Sequence, residues 1–228
     1  MDKQIIESTA RDVHKLIWKQ KNQIWPARVP HPFEMLEPEI AAHALGIRYE
    51  FHPELILLNR RSSKSEVAGL LDRQAGKIAV ADQFPEETIR FTGAHEIGHW
   101  LLHPDETMHR DRPIKGLIGG MGDRPTKEKE ADYFAACFLM PRKLVIDAFE
   151  STFMTQVPFV FDDAAAFWLC PSDPESLLRA DHGSLDRALA LATAQSYGGR
   201  HFNSLAKQFR VSVTTMAIRL NELGLIEE

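Results

Sequence analysis

Two histidines and a glutamate stand close together in HEIGHW, at residues 95–100. His95 and His99 are four residues apart, so on a helix they lie on one face and both imidazoles can reach a single tetrahedral ion. Glu96 then lies beside that ion, near enough to take a proton from an attacking water. The spacing predicts a Zn²⁺ site with Glu96 as general base. The competing interpretation is an amphipathic helix that carries two histidines by chance.

A catalytic zinc site also needs a third protein ligand and an open fourth position. A metzincin would have glycine and histidine where this chain has Leu102 and Asp105. A peptide deformylase would place a ligand cysteine in a Gly-Cys motif, and neither Cys137 nor Cys170 follows a glycine. We therefore expect a carboxylate ligand from another helix.

The segment TKEKEADYFAACFLM, at residues 126–140, offers two such carboxylates, Glu128 and Glu130. At about 100° per residue, Glu128 and Asp132 flank the apolar face of this segment, whereas Glu130 points away from it. Glu128 is the predicted third ligand, and Glu130 remains the alternative. Asp132, one turn further on, is predicted to accept the second N–H of a ligand histidine and so to fix its tautomer. Without the HExxH sequence, Glu128 would be interpreted as a solvated first-turn glutamate.

Three more side chains are candidates for this site. His103 follows His99 by four residues, but it is predicted to lie at the helix end or behind a ligand, because catalytic zinc usually has three protein ligands. Tyr133 and His109 are predicted as possible hydrogen-bond donors to the transition state.

Two helices must position these residues. Pro85 and the two glutamates after it favour a first helical turn, and Pro104 favours the end of that helix after the HExxH sequence. The second helix covers residues 126–140, before Pro141. Within the first helix, Gly93 and Gly98 each cost about 1 kcal/mol relative to alanine, and we expect them to permit close approach of a strand or of substrate.

The segments before residue 85 show weaker patterns. Helical spacing at residues 8–24 precedes a turn-rich linker at 26–32, and a short helix is expected at 37–45. The sequence IRYEF alternates as a strand does, and residues 65–82 are predicted to form a hairpin around a Gln-Ala-Gly-Lys turn.

RFTGAHEIGHWLLH (90–103) and EKEADYFAACFLMP (128–141) together resemble the ImmA/IrrE family of metallopeptidases. This chain departs from the family pattern at Gly93, Asp132 and Phe138, where a larger residue, asparagine and leucine are usual. The resemblance implies a gluzincin-like active site, in which zinc is bound by His95, His99 and Glu128, and Glu96 is the general base. It also implies the substrate, a helix-turn-helix repressor whose cleavage relieves repression of stress genes or mobile elements.

The fold class expected from this resemblance is α+β, a zincin-like core with a small β-sheet packed on the active-site helix and on the third-ligand helix. We predict four segments: an N-terminal helix and linker (1–32), the metallopeptidase domain (33–150), a helical, aromatic extension (151–198) and a helix-turn-helix-like pair (199–228). The loop at 104–125 and the aromatic residues at 151–170 are expected to contact substrate.

The C-terminal pair has apolar positions at helix-turn-helix spacing, and Ser212 can cap its second helix. Four side chains are expected to be exposed and able to face bases: Thr214, Thr215, Arg219 and Asn221. Residues 199–228 nevertheless hold four basic and three acidic residues, and 4 − 3 leaves a net charge of only +1. Packing on the core or binding of a protein partner is therefore favoured over DNA binding.

The composition narrows the class of protein. The chain has 228 residues, 44% hydrophobic content and a net charge of −5, which disfavours a general affinity for nucleic acid or anionic membranes. Two cysteines do not make a disulfide framework, and apolar runs typical of a signal peptide or membrane span are missing, so a cytoplasmic location is expected. The alternatives are a regulatory protein that binds a repressor or DNA around a structural or vestigial zinc site, and a zinc hydrolase of small amides.

Overall fold

The computed structural model of the chain describes residues 1–53, 55–56, 66–111, 124–181 and 183–227. It divides into two compact units, Met1–Leu139 and Met140–Glu228. The four-segment division expected from the sequence is finer than this, and it stays a prediction. None of the helices in the described part of the chain combines the length and hydropathy needed to cross a membrane.

The first unit is a mixture of helices and short strands. Its helices are α1 (Lys3–Lys19), α2 (Lys21–Ile24), a 3₁₀ turn (Pro32–Leu36), α3 (Pro38–Ala44), α4 (Glu86–Leu102) and α5 (Thr126–Leu139). Its strands are β1 (Arg48–His52), β2 (Leu55–Ile56), β3 (Glu66–Val67), β4 (Gly69–Asp72), β5 (Lys77–Ala81) and β6 (Met108–Asp111). The leading helix begins earlier than the pattern at residues 8–24 predicted, because the Asp2 carboxylate caps it by accepting the Gln4 N–H at 3.0 Å.

Four strands form the main sheet in the order β1-β5-β4-β6. Strands β1 and β5 are parallel, whereas β4 is antiparallel to both β5 and β6. The predicted β4–β5 hairpin is confirmed, and its turn contains Gly76 at φ +64°, a conformation that glycine adopts without steric cost. The predicted strand IRYEF is also confirmed, as β1.

Helix α4 packs on β4 and β5 and against α5. All residues from Thr92 to His99 are buried. An amphipathic surface helix would expose one face, so burial on all sides argues against the competing interpretation of the HExxH sequence. The predicted start at Pro85 and end before Pro104 are confirmed.

The two glycines of α4 permit different contacts. A side chain at Gly93 would overlap the hydroxyl of Tyr49 on β1, so this glycine allows the close approach of a strand, as expected. A Cβ at Gly98 would lie 3.1 Å from the Cα of Ala131 on α5. The neighbour of Gly98 is therefore a helix, and the expectation of a strand or substrate at this position is wrong.

The second unit contains α6 (Arg142–Phe153), α7 (Asp163–Leu169), α8 (Pro174–Leu178), α9 (Asp186–Thr193), α10 (Leu205–Phe209) and α11 (Val213–Glu222), with a short hairpin of β7 (Ser196–Tyr197) and β8 (Arg200–His201). Part of the aromatic segment belongs to its core. Phe153 and Phe159 are buried and their ring centroids lie 5.8 Å apart, so these two residues are not available to substrate. Phe167 and Trp168 are exposed. Most of the loop at 104–125 lies outside the described residues.

The C-terminal helical pair forms as predicted, with the Ser212 hydroxyl accepting the Thr215 N–H at 3.1 Å. The expectation that Arg219 is exposed is wrong. This side chain is only 2% exposed, because its guanidinium donates to the carbonyl of Met140 and to the carboxylate of Glu222, each at 3.1 Å. The guanidinium therefore finds its polar partners within the second unit.

Candidate metal site

Helices α4 and α5 bring together the three predicted metal ligands. The Nε2 atoms of His95 and His99 lie 3.1 Å apart, and carboxylate oxygens of Glu128 lie 3.5 Å and 3.4 Å from them. Ligand atoms bound to zinc at about 2.0–2.1 Å in a tetrahedron lie roughly 3.3 Å from one another. The three side chains therefore have the spacing of a metal-binding set, and the donor types, two imidazoles and a carboxylate, fit zinc.

The alternative third ligand faces elsewhere. The carboxylate of Glu130 lies 3.0 Å from Nε2 of His103, so it pairs with that ring and not with the two ligand histidines. Despite burial, the contacts of the Glu128 carboxylate with the imidazoles of His109, His95 and His99 hold its pKa far below its usual range. Glu128 is therefore ionised at neutral pH, as a metal ligand must be.

Carboxylates hold the outer nitrogens of both ligand histidines. Nδ1 of His95 donates to Asp132 at 2.9 Å, as predicted, and Nδ1 of His99 donates to Glu106 at 2.9 Å. These contacts set the tautomer, so each Nε2 carries the lone pair directed at the metal position. Sequence reasoning missed Glu106, because it follows Pro104 in a turn and has no helical phase relative to His99.

Arg124 and Lys127 place positive charge next to these carboxylates. Arg124 donates to Asp132 at 2.9 Å and to Glu128 at 3.2 Å, and Lys127 donates to Glu106 at 3.1 Å. Such pairing keeps the carboxylates ionised and in place. Neither cation was predicted, since basic residues next to acidic ones are common on exposed helix turns.

Glu96 is completely buried, and its carboxylate lies against the sheet strands β4 and β6. Its Oε2 is 3.2 Å from Nδ1 of His109, while its Oε1 has no hydrogen-bond partner among the described residues. Leaving a buried polar atom unpaired costs about 1–3 kcal/mol, so such an atom calls for an explanation, and a role in binding a reactant or an ion is one. The start of β4 makes room for it, because a Cβ at Gly69 would lie 2.6 Å from this oxygen.

His109, on β6, lies inside the cluster. Its Nε2 is 2.9 Å from Glu128, and its ring stacks on that of His99 with centroids 3.7 Å apart. Burial favours the neutral ring, but hydrogen bonds to Glu128 and Glu96 outweigh it and raise the pKa of His109 to about 9. The predicted role as a hydrogen-bond donor to the transition state stays a prediction.

His103 lies behind the cluster, at the residue that ends α4, where it was expected. Its Nδ1 is 3.0 Å from Nδ1 of His99, and its Nε2 donates to Glu130. Burial, followed by the neighbouring imidazole of His99, lowers the pKa of His103 to about 4. The ring is therefore neutral at pH 7, and its Nδ1 presents a lone pair toward His99.

The structure does not bring Tyr133 to the cluster. Its hydroxyl donates to Glu7 of α1 at 2.5 Å, and the ammonium of Lys3 lies 4.7 Å from the ring centroid. One residue after Asp132 on α5, a side chain is rotated by about 100°, which directs Tyr133 toward α1. The expectation that Tyr133 lies in the site and stabilises the transition state is therefore wrong.

Residues 55–168 match the model of the peptidase M78 family, described as the IrrE N-terminal-like domain. The match covers 168 − 55 + 1 = 114 of the 228 residues, half of the chain. The chain belongs to this metallopeptidase family. A search of curated proteins found no match.

Membership of the M78 family confirms the resemblance drawn from the sequence and the predicted α+β, zincin-like fold. The matched residues contain the whole cluster, from His95 on α4 to Asp132 on α5. Four members of the cluster, His95, His99, His109 and Glu128, offer donor atoms that all lie within 4.8 Å of one another. This member of the M78 family thus has, in its first unit, a partly buried donor set that fits a metal ion.

Proposed function

We propose that this protein is a zinc-dependent endopeptidase that cleaves a helix-turn-helix transcriptional repressor in the cytoplasm. One observation carries the proposal: three donors that suit zinc converge beside a buried glutamate with an unpartnered oxygen. Residues that serve only to stabilise a fold usually satisfy one another's hydrogen bonds. Glu96 adjoins the donor set through His109 and keeps Oε1 available for a reacting water, which supports the proposal.

The residues of the cluster have separate tasks in this reaction. Bound Zn²⁺ supplies a Lewis acid that polarises the scissile carbonyl and makes the attacking water more acidic. Glu96 accepts the proton of that water at Oε1 and delivers it to the leaving amine, so the proton count balances. Asp132 and Glu106 hold the ligand rings in a single tautomer and orientation.

The choice of a repressor as substrate draws on the family resemblance and on charge. The chain has a net charge of −5, and a helix-turn-helix repressor presents a basic surface to DNA. Opposite charge favours their encounter. The burial of Arg219 removes one of the four side chains considered for base contacts, which makes direct DNA binding by the C-terminal pair a weaker alternative.

The test compares the wild type with Glu96→Gln on a repressor encoded beside this protein. We expect both to retain zinc, measured by mass spectrometry, and the variant to cleave about 10²–10⁴-fold more slowly, the usual contribution of a general base. Glu86→Gln, the same change in the exposed first turn of α4, is the matched control and should cleave at the wild-type rate.

Equal cleavage by wild type and Glu96→Gln would contradict the mechanism. A wild type that binds zinc and the repressor without cutting it would favour the non-proteolytic regulatory protein. Cleavage of small amides but of no protein would favour the small-amide hydrolase.

A further inference from the structure

We propose that His109 is a fourth protein ligand of the metal and that it closes the site in the resting protein. The inference rests on the proposed zinc site and adds to it a ligand from the sheet, beyond the three from the two helices. It concerns the state of the site before substrate binds.

The position of His109 is that of a ligand. One donor atom each from His95, His99, His109 and Glu128 lies within 4.8 Å of all the others. Nε2 of His109 is 2.9 Å from a Glu128 oxygen. Four donors bound at about 2.0–2.1 Å lie roughly 3.3 Å apart, so movements of an ångström or so would complete a tetrahedron.

The second nitrogen of His109 strengthens the assignment. A metal-binding histidine almost always donates its other N–H to a carboxylate, a carbonyl or water. Each of three rings in the cluster follows this pattern with a carboxylate: His95 with Asp132 at 2.9 Å, His99 with Glu106 at 2.9 Å, and His109 with Glu96 at 3.2 Å. His109 thus has the same pair of contacts as the two histidines of the HExxH sequence.

His103 shows what a nearby histidine looks like when it is not a ligand of this cluster. Its Nε2 donates to Glu130, and its Nδ1 faces the outer nitrogen of His99, not the side shared with Glu128. A histidine that is merely close to the cluster therefore need not have the two contacts of His109, one with Glu128 and one with a second carboxylate.

The consequence is a site with two states. With His109 as ligand, four protein donors fill the tetrahedron, and Glu96 holds the His109 ring instead of a reacting water. Strand β6 is at the edge of the sheet and pairs with β4 alone among the described strands. Displacement of this short edge strand would withdraw His109, open the fourth position and free both oxygens of Glu96.

The experiment uses the full chain loaded with Co²⁺ or Zn²⁺ and does not depend on activity. X-ray absorption of the zinc protein should fit three imidazoles and one carboxylate in the wild type, and two imidazoles in His109→Ala. Acetohydroxamate, which needs an open position, should leave the visible spectrum of the Co²⁺ wild type unchanged and alter that of His109→Ala. We also expect His109→Ala to bind Zn²⁺ at least tenfold more weakly in a chelator competition.

Met108→Ala is the control, since it removes an exposed side chain from the same strand and should behave as the wild type does. Two imidazoles in the wild type, with a hydroxamate response as large as that of His109→Ala, would overturn the inference and leave the proposed function standing. If the variant does not fold, the absorption and hydroxamate results on the wild type decide alone. A wild type that binds neither Zn²⁺ nor Co²⁺ would overturn both.

Discussion

Helix α4 and the C-terminal helical pair both bury polar side chains, but they do so in different ways. Arg219 of α11 finds a carbonyl and a carboxylate, and its guanidinium serves to hold its own unit together. In α4, Glu96 is completely buried and keeps one oxygen without a partner in the described structure. The complete partners of Arg219 fit a structural role, whereas the incomplete partners of Glu96 fit a role in chemistry.

The histidine His14 is a third example of a largely buried polar side chain. His14 of α1 is a largely buried histidine, as the ligands are, but its Nε2 donates to the carbonyl of Phe138 at 3.0 Å, and the two rings stack at 4.9 Å. Burial lowers the pKa of His14 to about 4. Histidine burial alone therefore does not identify a metal site, and the partners of the ring decide its role.

The largest effect should come from removing a ligand. Glu128→Ala should lose Zn²⁺ affinity by more than the roughly 10–100-fold that the loss of an orienting partner costs. Glu130→Ala removes a carboxylate two residues away that pairs with the N-terminal ammonium of Met1 and contacts the outer side of the cluster through His103. Chelator competition measures both, and equal losses would contradict the assignment of Glu128 over Glu130.

The second-largest effect is expected for the pH dependence of folding stability, and it comes from the structural histidine, His14. Its pKa is about 4 in the folded chain and 6.5 in the reference state, so as pH falls below about 6.5 the unfolded chain takes up a proton that the folded chain does not. This group should therefore cost up to about 3 kcal/mol of folding stability between pH 6.5 and 4, at 1.36 kcal/mol per pKa unit.

Urea unfolding of wild type and His14→Phe across this pH range tests whether His14 causes this loss of stability. The difference in stability between the two should shrink or reverse as the pH falls, since other titrating groups are shared. His43→Phe, at an exposed position of α3, should follow the wild type. Parallel curves for His14→Phe and wild type would show that this ring does not titrate as described.

A somewhat smaller effect on the free energy of unfolding is expected at Arg219. Arg219→Met keeps the apolar stem but leaves the Met140 carbonyl without its donor, which should lower the free energy of unfolding by about 2–3 kcal/mol. Zinc content should not change. Arg200→Met, an exposed arginine of the same unit, should cost little, and similar denaturation midpoints for the two variants would contradict the structural role of Arg219.

The smallest effect should come from the carboxylates that orient the ligand rings. Glu106→Gln and Asp132→Asn should each weaken Zn²⁺ binding about 10–100-fold, or roughly 1.4–2.7 kcal/mol, without removing a ligand. Asp105→Asn changes an exposed neighbour and serves as the control. If only Asp132→Asn weakens binding, the contact between Glu106 and His99 is dispensable.

Local signals in the sequence accounted for the elements that carry the site. Pro85 and Pro104 bounded α4, and the four-residue spacing of His95 and His99 put both rings on one face, because a helix repeats every 3.6 residues. The same periodicity chose Glu128 over Glu130 on α5. In each case the controlling interactions lie within a few residues along the chain, so the amino-acid sequence specifies them directly.

Only the tertiary structure decided which distant side chains complete the site. Glu106 lies beyond a proline turn, His109 lies on an edge strand, and Gly69 makes room for Glu96 from the facing strand β4. The orientation of Tyr133 toward α1 and the burial of Arg219 depend equally on packing. Backbone geometry determines spacing within a helix, whereas contacts between elements result from burying many apolar surfaces at once, and no single stretch of sequence encodes that outcome.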